Sequence, residues 1–572
     1  MTVFQVSEPA VSNGNAPERV HNSSRHISRI RSLILPGTYL DDVNVCNDSS
    51  TGRGTTENPY IVEYADHDRH DALNFSKGRK WAIAVLQSLS TFAVTFASSV
   101  YASGIPGVMQ HFDVSNEVAT LGLSLFVLGF ALGPLIWAPL SEVYGRKYVY
   151  VISYTAYTAF SVAAACVDNI SALLILRFFA SAFGSSSMTN NGGVVADMFS
   201  KAERGLPMGL FVAACFLGPA FGPIVGGFLG ETQGWRWILG LVAILGGVVG
   251  IATALVTRET YAPFILRRRA KALSRMTGDV YMSHLDAAQP PKTLSRELSV
   301  SFTRPWILMF CEPLVLLTSL YISIIYGTLY MFFAGFPIVF QVTRGWSQGI
   351  AGLPFIGVAI GVFLAMLGAG VDSKRYERLC AEAEAEGRSV EPEARLGSAM
   401  VGSIVLPIGL FLFAWTTYPS VHWIVPVIGG MLFSCGLVMV FISLIGYLVD
   451  SCAFRSLFRD FLQRYVNAYL CSDVIYAASV LAANSVLRSL FATAFPLFTT
   501  QMYDNLGDQW ASSIPAFLAL GCLPFPFLFH KYGRRIRTKC KYTSEAAKML
   551  EIVHRHHAVM TAGEPNGTKV AA

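Results

Sequence analysis

Trp237-Ile238-Leu239-Gly240-Leu241-Val242-Ala243-Ile244-Leu245-Gly246-Gly247-Val248-Val249-Gly250-Ile251-Ala252-Thr253-Ala254-Leu255-Val256 is a run of twenty residues without a charge. About 20 apolar residues in a helix cross a hydrocarbon core of about 30 Å. The run is followed by Arg258 and then by the cluster Arg267, Arg268, Arg269 and Lys271. An apolar helix with cations just past one end reads as a membrane span with that end on the cytoplasmic side.

Similar runs recur on both sides of it. Twelve spans are expected, at 81–102, 118–140, 148–166, 171–196, 205–229, 236–257, 311–338, 349–371, 398–418, 423–447, 474–500 and 511–530. The chain is 53% hydrophobic and 14% charged, against about 25% charged in a soluble domain. The soluble alternative would need a dozen fully buried helices in one core. The expected fold class is therefore an all-α membrane protein of twelve transmembrane helices in two six-helix bundles, 81–257 and 311–530. A hydrophilic central loop, 258–310, divides them. Residues 1–80, rich in Ser, Asn, Asp and Arg, read as a disordered tail, and 531–572 as a second tail.

Lys and Arg placement orients the chain. The two tails and the loops on their side hold about 39 of the 43 cations. The other four are Arg177, Arg236, Arg344 and Arg488. Both termini and the central loop are thus expected in the cytoplasm, with the plasma membrane as the expected location. No cleavable signal peptide is visible, since no apolar run precedes Trp81. The cysteines form no C-x-x-C pair or Cys/His cluster, so neither a metal nor another cofactor is expected. No nucleophile–base set lies at one depth, which argues against an enzyme. The expected partners are the bilayer and a small-molecule substrate, with no nucleic acid and with the monomer as the working unit.

Within the spans, polar groups stand out. Arg177 interrupts Leu173-Leu174-Ile175-Leu176-Arg177-Phe178-Phe179, where a cation calls for a partner or a function. Gln87, Asn190, Asn191, Tyr326, Tyr330, Asn484 and Arg488 are candidate contacts for a substrate in a mixed cavity, although helix–helix hydrogen bonding is an equal claim on each. The loop after span 2 reads Gly133-Pro134-Leu135-Ile136-Trp137-Ala138-Pro139-Leu140-Ser141-Glu142-Val143-Tyr144-Gly145-Arg146-Lys147. It sets Glu142 beside two cations at a turn. After span 8, Gly368-Ala369-Gly370-Val371-Asp372-Ser373-Lys374-Arg375 echoes it, as two related halves would. Span 5 carries Gly218-Pro219-Ala220-Phe221-Gly222-Pro223-Ile224-Val225-Gly226-Gly227, whose glycines four apart open a groove for a neighbouring backbone.

These motifs resemble those of the major facilitator superfamily, in its fungal drug:proton antiporter branch. The 2–3 loop is similar to the family signature G-x-x-x-D-R-x-G-R-R/K, with Glu142, Gly145, Arg146 and Lys147 matching in character and Ala138 and Val143 departing. The span-5 residues Gly218, Gly222, Pro223, Gly226 and Gly227 resemble the antiporter signature. Further likeness lies in Glu259-Thr260-Tyr261-Ala262-Pro263 and Leu487-Arg488-Ser489-Leu490-Phe491. The resemblance implies a proton-coupled exporter of drugs, toxins or secondary metabolites working by alternating access. It implies a coupling role for Arg177 and an ion pair between Asp197 and Arg146. An uptake carrier of the same fold and a polyamine exporter remain open. The polyamine reading is weakened by Ala334, where many relatives carry an acid. About 22 residues, 451–472, exceed the family pattern; a retained short intron and an amphipathic helix on the membrane are the two readings of them.

Overall fold

The computed structural model describes residues 43–45, 53–64, 68–200, 203–287, 294–386, 390–463 and 472–539. Eleven helices among them are long and apolar enough to cross a membrane. Ten are single crossings: Lys77–Phe112, Asn116–Tyr144, Arg146–Cys166, Ile170–Met198, Gly205–Gln233, Trp235–Val256, Pro313–Thr343, Gln348–Ala383, Pro392–Trp415 and Ile424–Ser451. The eleventh, Ser479–Gly533, is 55 residues long and would extend about 80 Å at 1.5 Å per residue. It breaks at Gly507, whose φ of 73° and ψ of 164° are not helical. Its two flanks, 479–506 and 508–533, therefore make spans 11 and 12. The face where span 1 begins is called proximal here and the opposite face distal.

Local chemistry sets the ends of these helices. The Ser115 hydroxyl accepts from Val118 N at the start of span 2, and Asn169 Oδ1 accepts from Ser171 N at 2.8 Å at the start of span 4. Spans 2 and 3 are separated only by Gly145, and spans 5 and 6 only by Gly234, with φ of 89° and 85°. That region of φ is easily reached without a Cβ, so each glycine reverses the chain in a single residue.

In the first half, span 1 packs on span 5 and span 2 on span 4; in the second, span 7 packs on span 11 and span 9 on span 10. Between halves, span 2 meets span 11 and span 8 meets span 5. These two contacts are equivalent, each joining the second helix of one half to the fifth of the other. That pairing is the mark of a pseudo-twofold arrangement.

A separate small unit is built from the described residues up to His70 together with Ile265–Ala287. Its sheet joins β1 (Val43–Val45), β2 (Tyr60–Tyr64) and β3 (Tyr281–Ser283), antiparallel between β1 and β2 and parallel between β2 and β3. Val62 packs on Leu266, Ala270 and Leu273 of the helix Ala262–Thr277. Arg269 and Asp68 form a fully buried ion pair with two hydrogen bonds, one of 3.1 Å, and the guanidinium lies 5.3 Å from the Tyr64 ring centre. Burial pushes the Asp68 carboxyl up. The Arg269 hydrogen bonds, the His70 backbone N–H at 2.8 Å and the Arg269 charge outweigh it and hold the group below its ordinary value.

The tail expected to be disordered to residue 80 thus contributes two strands, and span 1 begins at Lys77. The central loop holds the helices Ala262–Thr277 and Leu294–Cys311 and the strand β3. The pairing of Tyr60-Ile61-Val62 with Tyr281-Met282-Ser283 spans more than two hundred residues of sequence, which no local pattern reveals. The helix of span 10 continues to Gln463; the side chains of 452–478 and residues 464–471 lie outside the described residues, so the extra segment at 451–472 is largely among them.

Candidate functional site

Where the two halves meet, partway along the spans, five helices converge. The Arg488 guanidinium of span 11 lies 4.6 Å from the ring centre of Tyr326 (span 7) and 5.2 Å from that of Phe441 (span 10). Phe216 of span 5 packs edge-on against Phe441, ring centres 5.0 Å apart, and more loosely against Tyr326. Tyr330, one turn beyond Tyr326, shares a 2.9 Å hydrogen bond with the Ser98 hydroxyl of span 1. Asn484 lies one helical turn from Arg488, on the same face of span 11. The sequence-predicted residues Tyr326, Tyr330, Asn484 and Arg488 therefore cluster.

Gln87, Asn190 and Asn191 belong to spans 1 and 4 of the first half. Asn191 Nδ2 donates to the Thr91 hydroxyl at 3.4 Å. Gln87 Oε1, Asn190 Nδ2, Asn191 Oδ1, Asn484 Nδ2 and Arg488 Nε are buried without a hydrogen-bond partner. Each such atom costs about 1–3 kcal/mol when left unpaired. Several inside the spans are a poor way to stabilise a fold and a serviceable way to meet a polar solute.

Arg177 is provided for differently. It is fully buried; its Nε donates to Gly122 O at 2.7 Å and a terminal nitrogen to Ala97 O at 3.4 Å. The rings of Tyr101 and Phe126 cover its faces at 4.0 and 4.7 Å. It joins spans 1, 2 and 4 within the first half. No acid is among these partners.

On the proximal face, Arg146 Nε meets Asp197 Oδ2 at 2.5 Å, and Thr260 Oγ1 donates to the same oxygen at 3.2 Å. Gly193 makes room for the pair: a Cβ there would lie 2.4 Å from the guanidinium carbon. Glu142, half-buried, adds its charge to this cluster. The organising acid is one the sequence reading quoted but gave no role. Glu259 accepts from Arg146 N at 3.0 Å and Lys147 N at 3.1 Å, capping span 3, and from Thr260 N and Tyr261 N at 3.0 Å each. Its signal was an acid just past span 6 opposite a Gly-Arg-Lys turn. Asp197 and Arg146 are paired as expected, but both belong to the first half, so they brace spans 3 and 4 and do not bridge the halves.

The second half repeats this brace. Arg395 Nε bonds to Asp450 Oδ2, Tyr376 Oη donates to the same oxygen at 3.0 Å, and the guanidinium stacks 4.1 Å from the Tyr376 ring. Arg146 and Arg395 both stand at the start of a third span, and Asp197 and Asp450 at the end of a fourth. The internal repeat legible in the sequence at Asp372–Arg375 is only a 3.8 Å contact; the close counterpart lies at Arg395 and Asp450.

The span-5 glycines have two faces. A Cβ on Gly218, Gly222 or Gly226 would strike span 1, at Phe96 N (2.8 Å), Val100 N (2.7 Å) and Val100 O (2.7 Å). A Cβ on Gly227 would strike Gln348 O at 2.8 Å, and Pro223 O lies where a Cβ on Gly352 would be, at 2.4 Å. One face thus seats span 1 and the other seats the opposite half. At this distal end the halves are hydrogen-bonded: Gly349 N to Glu231 Oε2 at 2.7 Å, Gln348 to Ser103 O, and Asn116 Nδ2 to Thr500 Oγ1 at 2.9 Å. Nearer the proximal side, Ala131, Leu135 and Val486 close an apolar layer between spans 2 and 11.

Two six-span halves in pseudo-twofold relation, with a polar site between them and closures on either side, define a membrane carrier. The sequence profile of the Major Facilitator Superfamily matches residues 88–457, and the chain belongs to that superfamily. It is 52% identical over 543 residues to "Efflux pump FUB11" of Gibberella moniliformis, covering 95% of this chain and 85% of that one. It is 50% identical over 495 residues to "Major facilitator superfamily multidrug transporter mdrA" of Aspergillus fumigatus, covering 86% and 78%. Among solved structures, the partially occluded inward-open xylose transporter XylE of E. coli superposes with a TM-score of 0.55 at 14% identity, covering 79% of this chain and 98% of that one; this likeness concerns the fold alone.

Proposed function

We propose that this protein exports small organic molecules across the plasma membrane in exchange for protons, with both termini in the cytoplasm. The observation that carries the reading is the cluster of Arg488, Tyr326, Tyr330 and Phe441 with unpaired buried amides, placed between two halves that can rock about it. The names of the relatives, efflux pump and multidrug transporter, support the direction of transport. The glycine face of span 5 supports exchange over free passage, because it seals the distal side while the site is loaded from the proximal side. The excess of Lys and Arg on the proximal side supports the orientation. One chain supplies both halves of the site, so the working unit is a monomer, and no bound cofactor or catalytic chemistry enters.

The energy source is the proton gradient. It supplies about 2.3 kcal/mol per charge per 100 mV and about 1.4 kcal/mol per pH unit. Acidic residues stand at both ends of the spans, Glu231 on the distal face and Asp197 and Asp450 on the proximal face. The test is a strain lacking the protein, screened against a toxin panel, with intracellular accumulation measured with and without an uncoupler. Loss of the protein raises accumulation, and the uncoupler abolishes the difference. Lower accumulation in the deletion strain would mark an uptake carrier, and a difference that survives the uncoupler would remove the protons from the account.

A further inference from the structure

The central site has a sign. Among the described residues, the acids of the spans stand near their ends, beyond the apolar stretch or beside the break at Gly507: Glu117, Glu142, Asp197, Glu231, Asp372, Glu377, Glu382, Glu393, Asp450, Asp504 and Asp508. Among the described residues, the interior of the spans holds two arginines, Arg177 and Arg488, and no Asp or Glu.

The two arginines differ in one respect. Arg177 has its guanidinium covered by two aromatic rings, and its Nε and one terminal nitrogen donate to two backbone carbonyls. Its bonded donors are met within the protein. Arg488 also has its faces covered, by Tyr326 and Phe441, but its Nε is buried with nothing to donate to. A guanidinium edge is a planar fork of donors whose matching acceptor is a carboxylate or similar oxyanion. Asn484, 2% exposed on the same face of span 11, has an unpaired Nδ2, a second donor with no acceptor. A cation inside a span calls for a partner, and a bound anion supplies one. The rings of Tyr326, Phe441 and Phe216 provide flat apolar walls beside the fork.

We propose that the transported substrate is an organic anion, a carboxylate carried on a planar or aromatic body, with Arg488 as its anchor and Asn484 as a second donor. The proposal rests on the export reading above for its site and adds the chemical class of the solute. It sets the protein apart from carriers of polyamines and other cations.

The test is equilibrium binding to the purified full chain in detergent, with three probes of one shape: 2-naphthoate, 2-naphthamide and 2-naphthylmethylamine. Wild type binds the acid at least tenfold more tightly than the amide, and the amine least. Arg488→Gln loses at least tenfold for the acid and less than threefold for the amide; Arg488→Lys keeps part of the preference. The proposal is overturned if wild type binds amide or amine as well as the acid, if none of the three binds, or if Arg488→Gln weakens acid and amide equally. The wild-type comparison requires no variant to fold. Binding at equilibrium is independent of flux, so reconstituted vesicles separate the two claims. An anion that binds but is not driven by a pH gradient contradicts export and leaves the anion site standing. Gradient-driven export of neutral or cationic compounds alone does the reverse.

Discussion

Gly222→Ala adds one methyl group where span 5 crosses span 1. The new Cβ would lie 1.9 Å from Ser99 Oγ and 2.7 Å from Val100 N. The hydroxyl can rotate away, but the backbone nitrogen cannot. At 2.7 Å the contact is 0.3 Å inside the 3.0 Å floor of real Cβ contacts and 0.7 Å inside the 3.4 Å at which ordinary contact begins. Span 1 must therefore retreat by several tenths of an ångström along a seam that Gly218 and Gly226 also hold tight. Overpacking of this kind costs about 1–3 kcal/mol. Gly209→Ala lies on the same helix with nothing within 4 Å of its Cβ and gains helix propensity of about 1 kcal/mol. It is the internal control. Thermal unfolding in detergent, followed by size exclusion, should show Gly222→Ala melting below wild type and Gly209→Ala at or above it. Efflux in whole cells should fall for the first and persist for the second. If the two variants are indistinguishable in both assays, the span-5 groove is not a close-packed seam and the reasoning fails.

Other outcomes follow from the same structure. Glu259→Ala orphans four backbone N–H groups at the start of span 3 and after span 6. It should destabilise by about 2 kcal/mol, read as a lower melting temperature, with Glu259→Gln intermediate. Asp68→Asn removes the acid from the buried Arg269 pair, a loss of about 3–5 kcal/mol, and backbone amides of Tyr60–Tyr64 should then exchange hydrogen faster at pH 7. In wild type the Asp68 carboxyl titrates lower folded than unfolded. Its contribution is full above the unfolded value near 3.9 and is lost as the pH falls through the folded value. Exchange in that strand should accelerate only on strong acidification. Arg177→Ala leaves Gly122 O and Ala97 O without their donor; the variant should reach the membrane and lose efflux, and normal export by a folded variant would count against any role for it in transport.

Much of the membrane architecture was legible because hydrophobic length is a local property. Spans 1–10 each fall on a helix, and the break between 11 and 12 sits at Gly507, inside an expected loop. The helices run past the apolar stretches, as at Lys77–Phe112 and Gln348–Ala383, since a helix does not stop where the hydrocarbon does. Polar residues inside spans were also legible, because they are anomalous there: Arg177, Asn484 and Arg488 could be named. Their partners could not, because backbone carbonyls and rings on other helices carry no sequence signal. The small sheet was missed for a related reason. Tyr60-Ile61-Val62-Glu63-Tyr64 has a strand-like composition, but its parallel partner is in the central loop. The loop echo at Asp372 and Arg375 is local and legible, whereas the counterpart of the Arg146–Asp197 pair is Arg395 with Asp450, where a turn of 3₁₀ helix at Pro392–Leu396 carries the arginine to the start of span 9.

The central claim is coupled exchange through the site between the halves, and proton flux tests it most directly. Purified protein is reconstituted into vesicles with an acid lumen containing a pH-sensitive dye, and 2-naphthoate, 2-naphthamide or 2-naphthylmethylamine is added outside. The account predicts that at least one compound speeds proton loss from the lumen beyond that of protein-free vesicles, and that Gly222→Ala weakens the effect. Solute entry with no accompanying proton loss above the protein-free control would contradict it.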